Sequence, residues 1–248
     1  MKLLVLAAGY ATRLYPLTVD RPKPLLPVAG RPMLEHLLER LAPIDGIDAV
    51  YVVTNAKFAW RFREWAEGRP GLTVVDDGTT DEESRLGAIG DIGFVIDREE
   101  IDDDLIVVAG DNLFSEGLGG FGRFCLERST PVIAVYDVGD LEEIPKYNSI
   151  EVDGDGRITF FEEKPALPRS TLIGIALYFY PRSALPLVRQ YLAEGNNPDQ
   201  PGRLVQWLYP RTPFYTWNVP GAWYDVGSEE GLREADRVFS AVRDPAQS

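Results

Sequence analysis

The sequence predicts an α/β fold in which helices cover a doubly wound, mostly parallel sheet. Short apolar runs alternate with stretches of helical periodicity as far as Val138. The runs, such as LLVL, YVV and LIVVA, are continuously apolar, which is typical of parallel strands buried on both faces. After Val138 the alternation changes to a hairpin pattern. We therefore expect a parallel N-terminal half that carries an antiparallel, mixed extension.

The N-terminal half divides into strands and helices in a regular order. The first predicted strand is KLLVLAA, and apolar residues recur at helical spacing in a predicted helix over about 32–42. The next units, in chain order, are the strand AVYVVTN, the helix FAWRFREWAEG, the strand LTVVDD, a helical segment over 85–96, the strand LIVVAGD, the helix LGGFGRFCLERS and the strand PVIAVYDV. This alternation predicts a Rossmann-like sheet.

The C-terminal part has the pattern of a mixed extension. The segments NSIEV and RITFF flank the turn DGDG and predict a hairpin, TLIGIALYFYP predicts a further strand and WYDV a last short one. The segment SEEGLREADRVFSAV predicts a closing helix with Ser228 as its N-cap. Because no linker, repeat or low-complexity segment interrupts the chain, we expect one domain over 1–240 and a frayed tail over 241–248.

Composition limits the classes of partner and of chemistry. The net charge of −14 disfavours nucleic acid and an anionic membrane surface, since phosphate neutralisation drives such binding. No apolar run approaches the roughly 20 residues of a membrane-spanning helix. Cys125 is the single cysteine, which excludes an intrachain disulfide and a cysteine zinc cluster. We expect a reducing, cytoplasmic location, and leave homo-oligomerisation open.

The only histidine, His36, lies to the side of the apolar stripe of the first predicted helix. We expect it to be a partly exposed helix residue without a catalytic role. Catalysis by a Ser–His–Asp or a Cys–His arrangement is therefore disfavoured.

The connection after the first predicted strand, LAAGYATRLYPLTVDRPKPLLPV, carries a local excess of positive charge. The basic residues of this connection are Arg13, Arg21 and Lys23, and Arg31 lies in the turn that follows. Open α/β sheets bind ligands where such a connection begins, at the carboxyl ends of the strands. Small residues around Gly9 let backbone N–H groups approach an anion closely. We expect a phosphate-binding loop; a proline-braced surface loop with solvated arginines is the alternative.

Two familiar phosphate-binding patterns are missing from the chain. Without G-x-x-x-x-G-K-[ST] it is not a P-loop NTPase, and without G-x-G-x-x-G dinucleotide binding is disfavoured. Within the loop, Ala11 occupies a position where glycine would be easier. We expect a negative φ at Ala11, because a positive φ would strain an alanine.

Acidic residues follow two of the strand-like segments. Asp111 ends the run LIVVAGDNLF, and Asp225 lies in the short strand of GAWYDVGS. Mg²⁺ prefers oxygen ligands and usually takes one or two carboxylates together with substrate phosphates. Convergence of the two aspartates would form such a site; a turn or capping role for each is the alternative. In FFEEKP, Lys164 could meet an anion and Glu163 could accept hydrogen bonds from hydroxyls, or the segment could be an ordinary strand end.

Taken in order, these segments resemble the motifs of the sugar-phosphate nucleotidylyltransferase family, which includes the glucose-1-phosphate thymidylyltransferases and related NDP-sugar pyrophosphorylases. The resemblance lies in LAAGYATRLYPLT and KPLLP, then VAGDNLF, YNSIEVD, FFEEKP and WYDVGS, and covers about residues 1–240. It implies the nucleotide-diphospho-sugar transferase type of Rossmann-like sheet. It also implies Mg²⁺ as cofactor and the reaction of an NTP with a sugar 1-phosphate to give an NDP-sugar and pyrophosphate.

The resemblance implies a role for individual residues. Arg13 and Lys23 would be catalytic, and Asp111 and Asp225 would hold the metal. The nucleotide would contact Leu6, Ala7, Ala8, Gly9, Arg13, Arg85, Gly87 and Gly110. The sugar phosphate would contact Tyr147, Asn148, Glu163 and Lys164.

The chain departs from the family pattern in ways that bear on substrate choice. Ala11, Asn148 and Ala176 stand where relatives often have glycine, and DEESRLGAIGD (81–91) replaces a glutamine-rich base-recognition segment. We expect dTTP or UTP and glucose 1-phosphate as substrates. The alternatives are a cytidylyltransferase for a non-sugar phosphate such as phosphocholine, and a catalytically silent subunit that senses nucleotide sugars.

Overall fold

The computed structural model describes residues 1–243 of the chain. The strands within this range are β1 (Lys2–Leu6), β2 (Pro27–Val28), β3 (Arg31–Pro32), β4 (Ala49–Thr54), β5 (Leu72–Asp76), β6 (Leu105–Ala109), β7 (Asn112–Phe114), β8 (Val132–Asp137), β9 (Asn148–Val152), β10 (Ile158–Glu163), β11 (Leu172–Tyr180), β12 (Tyr215–Asn218) and β13 (Trp223–Asp225). The α-helices are α1 (Met33–Leu41), α2 (Ala59–Ala66), α3 (Ala88–Arg98), α4 (Gly119–Arg128), α5 (Leu185–Ala193), α6 (Pro201–Leu208) and α7 (Glu229–Arg243).

Seven strands form the central sheet in the order β12-β8-β11-β6-β1-β4-β5. The strands β6, β1, β4 and β5 are mutually parallel, and β12 is parallel to β8. Strand β11 is antiparallel to both of its neighbours, β6 and β8. The predicted mixed α/β sheet is confirmed. The antiparallel strand, however, lies inside the central sheet rather than in a separate extension.

Both faces of the sheet are buried, which explains the continuous apolar runs of its strands. In β1, Leu4 packs into one core with residues of α3, α5 and α6. Its neighbours Leu3 and Val5 pack on the other face with residues of α1, α2 and α4. Successive side chains of a strand point to opposite faces, so a strand covered on both sides needs an apolar residue at every position.

The C-terminal segments form small antiparallel pairs around this sheet. The predicted hairpin is confirmed as β9 and β10. Strand β13 pairs with β7, and α7 packs against β2 and β13. Ser228 caps α7 as expected, because the Gly231 N–H donates to Ser228 Oγ at 3.1 Å. Helix α7 extends to Arg243, residues 244–248 lie outside the described residues, and the frayed tail over 241–248 stays a prediction. The single domain over 1–240 stays a prediction.

The expectation that His36 is partly exposed is wrong, since only 6% of the residue is accessible. Its Nε2 lies 2.8 Å from the Val28 carbonyl oxygen, and its ring packs edge-on against Phe239 at 5.3 Å. Helix α7, more than 190 positions away in sequence, covers this face of α1. The helical periodicity of α1 alone could not indicate that another helix buries this face.

In residues 1–243 no helix combines the length and hydropathy that crossing a membrane requires.

Candidate active site

A cavity of about 490 Å³ opens over the carboxyl ends of β1 and β6. These two strands lie at the centre of the sheet, and the connections that leave them diverge, as at the ligand-binding crevice of open α/β folds. Most of the site residues expected from the sequence line this cavity, namely Leu6, Ala7, Ala8, Gly9, Arg13, Lys23, Arg85, Gly87, Asp111, Tyr147, Asn148, Glu163 and Asp225.

Two of the expected site residues are not among those that line the cavity. Gly110 is buried beneath it: its N–H donates to the Leu6 carbonyl oxygen at 2.9 Å, and a Cβ would lie 3.0 Å from Pro24 Cγ. Its contribution is therefore the close packing of the loop against β6. The side chain of Lys164 is exposed, and its backbone has a φ of 51°.

The centre of the cavity holds Lys23 between two carboxylates. Lys23 Nζ donates to Asp111 Oδ2 at 2.5 Å and lies 3.9 Å from Asp225 Oδ1. Pairing of β13 with β7 places Asp225 opposite Asn112, the residue after Asp111. Burial and the Asp111 carboxylate raise the pKa of Asp225, and the positive charges of Lys23 and Arg13 oppose this rise. The two aspartates thus converge, as a shared cation site requires.

The two carboxylates suit a hard divalent cation that takes further ligands from substrate. They offer oxygen donors only, and one ammonium group already lies within 4 Å of both. Among residues 1–243 no group of three or more His, Cys, Asp or Glu side chains is arranged to hold a metal on its own. Mg²⁺ commonly binds one or two carboxylates and completes its coordination with phosphate and water. Asp111 and Asp225 therefore fit such an ion in the presence of a phosphate ligand.

The long loop after β1 is organised by two short 3₁₀ turns. Arg13 lies in the first turn, Thr12–Leu14, and Lys23 begins the second, Lys23–Leu25. The Lys23 side chain is 14% exposed and is held by its carboxylate partners. Arg13 is exposed and donates no hydrogen bond to any of the described residues, although its charge acts on Asp225. The loop thus presents two cations to the same cavity, Lys23 held by carboxylates and Arg13 exposed.

The expectation of a negative φ at Ala11 is wrong. Ala11 has φ 49° and ψ 41°, the left-handed conformation. Its carbonyl oxygen accepts hydrogen bonds from the Leu14 N–H at 3.0 Å and from the Thr18 hydroxyl at 2.8 Å. These two bonds hold the residue in a conformation that costs an L-residue about 1–2 kcal/mol. The strain lies directly between Gly9 and Arg13, in the wall of the cavity.

Glu163 is at the end of β10, on the flank of the cavity formed by α6. Its N–H donates to Gln206 Oε1 at 3.1 Å, whereas its own Oε2 is buried without a partner among the described residues. Burial raises the pKa of Glu163 to about 7, against the lowering influence of Lys164 and Arg203. A Cβ at Gly202 would lie 1.8 Å from Glu163 Oε2, so glycine at this position of α6 leaves room for the carboxylate.

Asn148 lines the cavity, but both ends of its amide are engaged elsewhere. Its Nδ2 donates to the Gly174 carbonyl oxygen at 2.8 Å, and its Oδ1 accepts from the Gly174 N–H at 2.6 Å. The side chain therefore fixes β9 against β11. Tyr147, its neighbour, packs against Trp223 with ring centroids 5.9 Å apart. Both residues were expected as ligand contacts. Their side chains also hold the wall of the cavity together.

Several lining residues were missed by sequence reasoning. Trp223 donates from Nε1 to Asn112 Oδ1 at 3.2 Å, and Asn112 donates to the Ala176 carbonyl oxygen at 3.0 Å. The further missed residues include Asp91, Lys146, Asp199, Pro201 and Gly202. The segments DNLF and WYDV contain Asn112 and Trp223, so a signal existed there. The α6 residues carry no recognisable motif and reach the cavity only through packing.

The N-terminus of α3 forms another flank of the cavity. Arg85 makes ion pairs with Glu82 at 2.9 Å and Asp199 at 3.1 Å. Gly87 has φ 79°, and a Cβ there would lie 2.7 Å from the Pro198 carbonyl oxygen. That carbonyl accepts the N–H of Ile89, so the first turn of α3 is capped by the segment before α6. The expected nucleotide contacts Arg85 and Gly87 are thus held against the second half of the chain.

Comparison with known proteins identifies the family. The family model described as Nucleotidyl transferase matches residues 2–240. The chain belongs to this family. The sequence-based recognition of a sugar-phosphate nucleotidylyltransferase is therefore confirmed.

Relatives of the nucleotidyl transferase domain differ in name and length. The bifunctional protein GlmU of Methanocaldococcus jannaschii is 24% identical over 239 residues, which cover 96% of this chain and 54% of that protein. The glucose-1-phosphate thymidylyltransferase of Mycolicibacterium smegmatis is 32% identical over 248 residues, which cover 98% of this chain and 83% of that protein. The chain thus spans about half the length of the first of these curated relatives.

Solved structures support the same fold for this nucleotidyl transferase domain. The structure of a UDP-glucose pyrophosphorylase complexed with UDP-glucose superposes with a TM-score of 0.80 at 22% identity. The superposition covers 98% of this chain and 99% of that chain. The architecture is therefore shared over nearly the full length of both.

Proposed function

We propose that the chain is a nucleotidylyltransferase that makes an NDP-sugar and pyrophosphate from an NTP and a sugar 1-phosphate. The observation that carries this proposal is the contact of Lys23 with Asp111 and Asp225 inside the large cavity. Two anionic substrates repel each other, and a site with both cationic side chains and metal-binding carboxylates can neutralise them together. Such neutralisation and positioning supply most of the catalysis of phosphoryl-type transfer.

The chemistry requires no general base. The second pKa of a phosphate monoester is about 6, so its oxygen is already ionised at neutral pH. In the proposed step this oxygen bonds to the α-phosphorus of the NTP while the bond to the β-phosphate oxygen breaks and pyrophosphate leaves. The burial of His36 outside the cavity is compatible with this reaction.

Each cationic residue has a place in the proposed mechanism. Lys23 stabilises the charge that accumulates at the α-phosphate, because it is held by carboxylates in the centre of the cavity. Arg13, exposed in the turn Thr12–Leu14, binds the β- and γ-phosphates that leave. The backbone around Leu6–Gly9 holds the nucleotide at the end of β1.

Asp111 and Asp225 hold Mg²⁺ in this proposal. The ion, when bound, supplies charge neutralisation between the phosphates of the two substrates. Lys23 holds the two carboxylates close together before substrates arrive, since its ammonium lies within 4 Å of both. Family membership supports this assignment, and the residues offer the oxygen donors that the ion prefers.

The sugar phosphate occupies the flank between β9, β10 and α6. Glu163 accepts hydrogen bonds from sugar hydroxyls, because its buried Oε2 has no partner among the described residues. Lys164 binds the sugar phosphate by turning its exposed side chain towards the cavity, and Tyr147 and Asn148 form the adjoining wall. Glucose 1-phosphate with dTTP or UTP is the favoured pair, supported by the names of the relatives. These nucleotide substrates favour a cytoplasmic location.

A substrate matrix tests the proposal directly. UTP, dTTP, CTP, GTP and ATP are each incubated with several sugar 1-phosphates and with phosphocholine in the presence of Mg²⁺, and pyrophosphate release is measured. We expect turnover with UTP or dTTP and glucose 1-phosphate. Turnover with CTP and phosphocholine alone would assign the chain to the cytidylyltransferases. Nucleotide-sugar binding without pyrophosphate release from any pair would identify a silent sensing subunit.

A further inference from the structure

Two buried carboxyl groups lie in contact at the edge of the cavity formed by β5 and α3. Asp77 follows β5 and is 9% exposed, and Asp91, in the first turn of α3, is 5% exposed. The two carboxyl groups lie close enough to act on each other's pKa. Neither Asp77 Oδ2 nor Asp91 Oδ1, both buried, has a hydrogen-bond partner among the described residues. Because two carboxylates cannot donate to each other, a hydrogen bond between them requires a proton on one of the two.

The surroundings assign the proton to Asp91. Asp77 Oδ1 accepts hydrogen bonds from the Thr79 N–H at 2.7 Å and from the Thr79 hydroxyl at 2.8 Å, which stabilise a charged Asp77. Asp91 accepts none from the rest of the described chain. Burial and the charge of Asp77 raise the pKa of Asp91 to about 8. At neutral pH Asp91 therefore donates to Asp77, and its second oxygen is a carbonyl-type acceptor.

The pair is also connected to the loop after β1. The Thr79 hydroxyl lies 3.4 Å from the hydroxyl of Tyr10, which stands between Gly9 and Ala11. Tyr10 and Asp77 are both held against the same threonine, so the position of Asp91 is fixed relative to the expected nucleotide loop. The ionisable groups that face the pair are Tyr10 and Asp76, and neither supplies a positive charge.

Asp91 lines the cavity together with Gly87 and Ala88. Its neighbour Asp77 follows β5, whereas Lys23 contacts Asp111 after β6, and β1 and β4 lie between those two strands. A buried acid without a protein donor is costly, and an apolar residue would fill this helix position without that cost. The second oxygen of Asp91 is left for a donor that comes from a ligand. With the phosphates at Lys23 and Arg13, the ligand group at this far flank is the nucleobase.

We infer that Asp91 is a specificity-determining residue of the nucleotide site, whose carboxyl accepts a hydrogen bond from the imide N3–H of uracil or thymine while Asp77 holds it in place. The inference rests on the proposed function and names the recognition element that selects its nucleotide. Cytosine has a lone pair at N3, which would meet the acceptor oxygen of Asp91 and be repelled. Discrimination of this kind, by a buried group left unpaired, is stronger than discrimination by shape alone.

Equilibrium binding tests the inference without requiring turnover. Calorimetric titration with UTP, dTTP, CTP and ribose 5-triphosphate is carried out on the wild-type chain, Asp91→Ala and Asp91→Asn. Wild type should prefer UTP or dTTP over CTP. Asp91→Ala should reduce the affinity for the preferred nucleotide, and its preference over CTP, by about ten-fold. Asp91→Asn can donate its amide to Asp77 and keep an acceptor towards the cavity, so it should retain the preference.

The outcomes separate this inference from the function on which it rests. An Asp91→Ala chain that binds all three nucleotides with the wild-type ratios would overturn the inference alone. An equal loss for ribose 5-triphosphate would do the same, because that ligand has no base. Failure of the wild-type chain to bind any nucleotide would overturn both. Circular dichroism confirms folding of each variant. If Asp91→Ala does not fold, a folded Asp91→Asn chain that has lost the preference over CTP would overturn the inference, and one that keeps it supports the acceptor role.

Discussion

Lys23 and Asp111, 88 positions apart in sequence, form an ion pair with Nζ 2.5 Å from Oδ2. The pair joins the loop after β1 to the end of β6 across the floor of the cavity. Asp225 extends it to a third segment of the chain at 3.9 Å. The residues proposed for phosphate and metal binding are therefore arranged before any substrate enters, so little reorganisation accompanies the reaction.

Replacement of Lys23 with alanine should lower turnover by at least about 100-fold, because the charge at the α-phosphate loses its fixed cation. Stability should change by no more than about 1 kcal/mol, since the lysine makes an ion pair at the cavity and contributes little to the apolar core. Steady-state pyrophosphate release and thermal unfolding measure the two quantities. Arg21→Ala, in the same loop but outside the cavity, is the matched control and should keep wild-type turnover. Normal turnover in Lys23→Ala would refute the assigned role.

Asp111→Asn and Asp225→Asn should each abolish Mg²⁺-dependent turnover, because the proposed ion needs both carboxylates. The measurement is initial rate against Mg²⁺ concentration, where partial loss would appear as a higher half-saturation concentration. Asp155→Asn, in the exposed turn of the β9–β10 hairpin, controls for the change of charge and should leave the curve unaltered. If only one of the two site variants changed the curve, the shared-ion arrangement would be wrong.

Gly202→Ala should raise the KM for the sugar phosphate with little change in the KM for the NTP. The new methyl group would overlap Glu163 Oε2 at 1.8 Å and push the carboxylate out of its place. We expect an increase of about ten-fold or more, the effect of losing hydrogen bonds to a charged group. Gly154→Ala, where a Cβ meets nothing within 4 Å, is the control. Equal increases for both substrates would indicate a general disturbance of the fold instead.

The stability of Asp91→Asn relative to the wild-type chain should increase as the pH rises. The folded chain keeps the proton of Asp91 up to a pKa of about 8, whereas the unfolded chain releases it near the ordinary value of 3.8. Between these values the folded state binds more protons, so wild-type stability falls with rising pH by up to about 1.4 kcal/mol per unit. Denaturant unfolding of both proteins at several pH values measures the difference. A constant difference from pH 4.5 to 7.5 would contradict a neutral Asp91.

Ala11→Gly should leave stability unchanged or raise it by up to about 1 kcal/mol. Glycine adopts the left-handed conformation without strain, which offsets its greater freedom in the unfolded chain. Ala42→Gly provides the comparison, because Ala42 has φ −54° at the end of α1 and should lose about 0.5–1 kcal/mol. Chemical unfolding measures both. A loss at position 11 equal to that at position 42 would show that Ala11 carries no strain.

Local sequence patterns were sufficient to predict most of the fold. The buried strands were visible as apolar runs, because a strand covered on both faces needs apolar residues at every position. The hairpin of β9 and β10 was visible through its turn residues, and Ser228 through its capping position. The place of β11 was not visible, since an apolar antiparallel strand between two others has the same local pattern as a parallel one.

The candidate site was predictable where motifs lie at strand ends and not where packing creates the contact. Asp111 and Asp225 follow strands, and the pairing of β13 with β7 brings them together. Gly202 reaches Glu163 through the packing of α6 on β10, and Asp91 meets Asp77 through the packing of α3 beside β5. The conformation of Ala11 depends on the Thr18 hydroxyl, seven residues later, which no propensity scale includes.

The insertion of β11 into the central sheet sets an order of assembly on the growing chain. Strands β1, β4, β5 and β6 can pair with one another once residue 109 has been made. Strands β8 and β12 have no ladder to that group except through β11, which ends at Tyr180. During synthesis β8 therefore has no partner strand linking it to that group until more than forty further residues have been made. Its edge is exposed during that interval, and misassembly would begin at this edge.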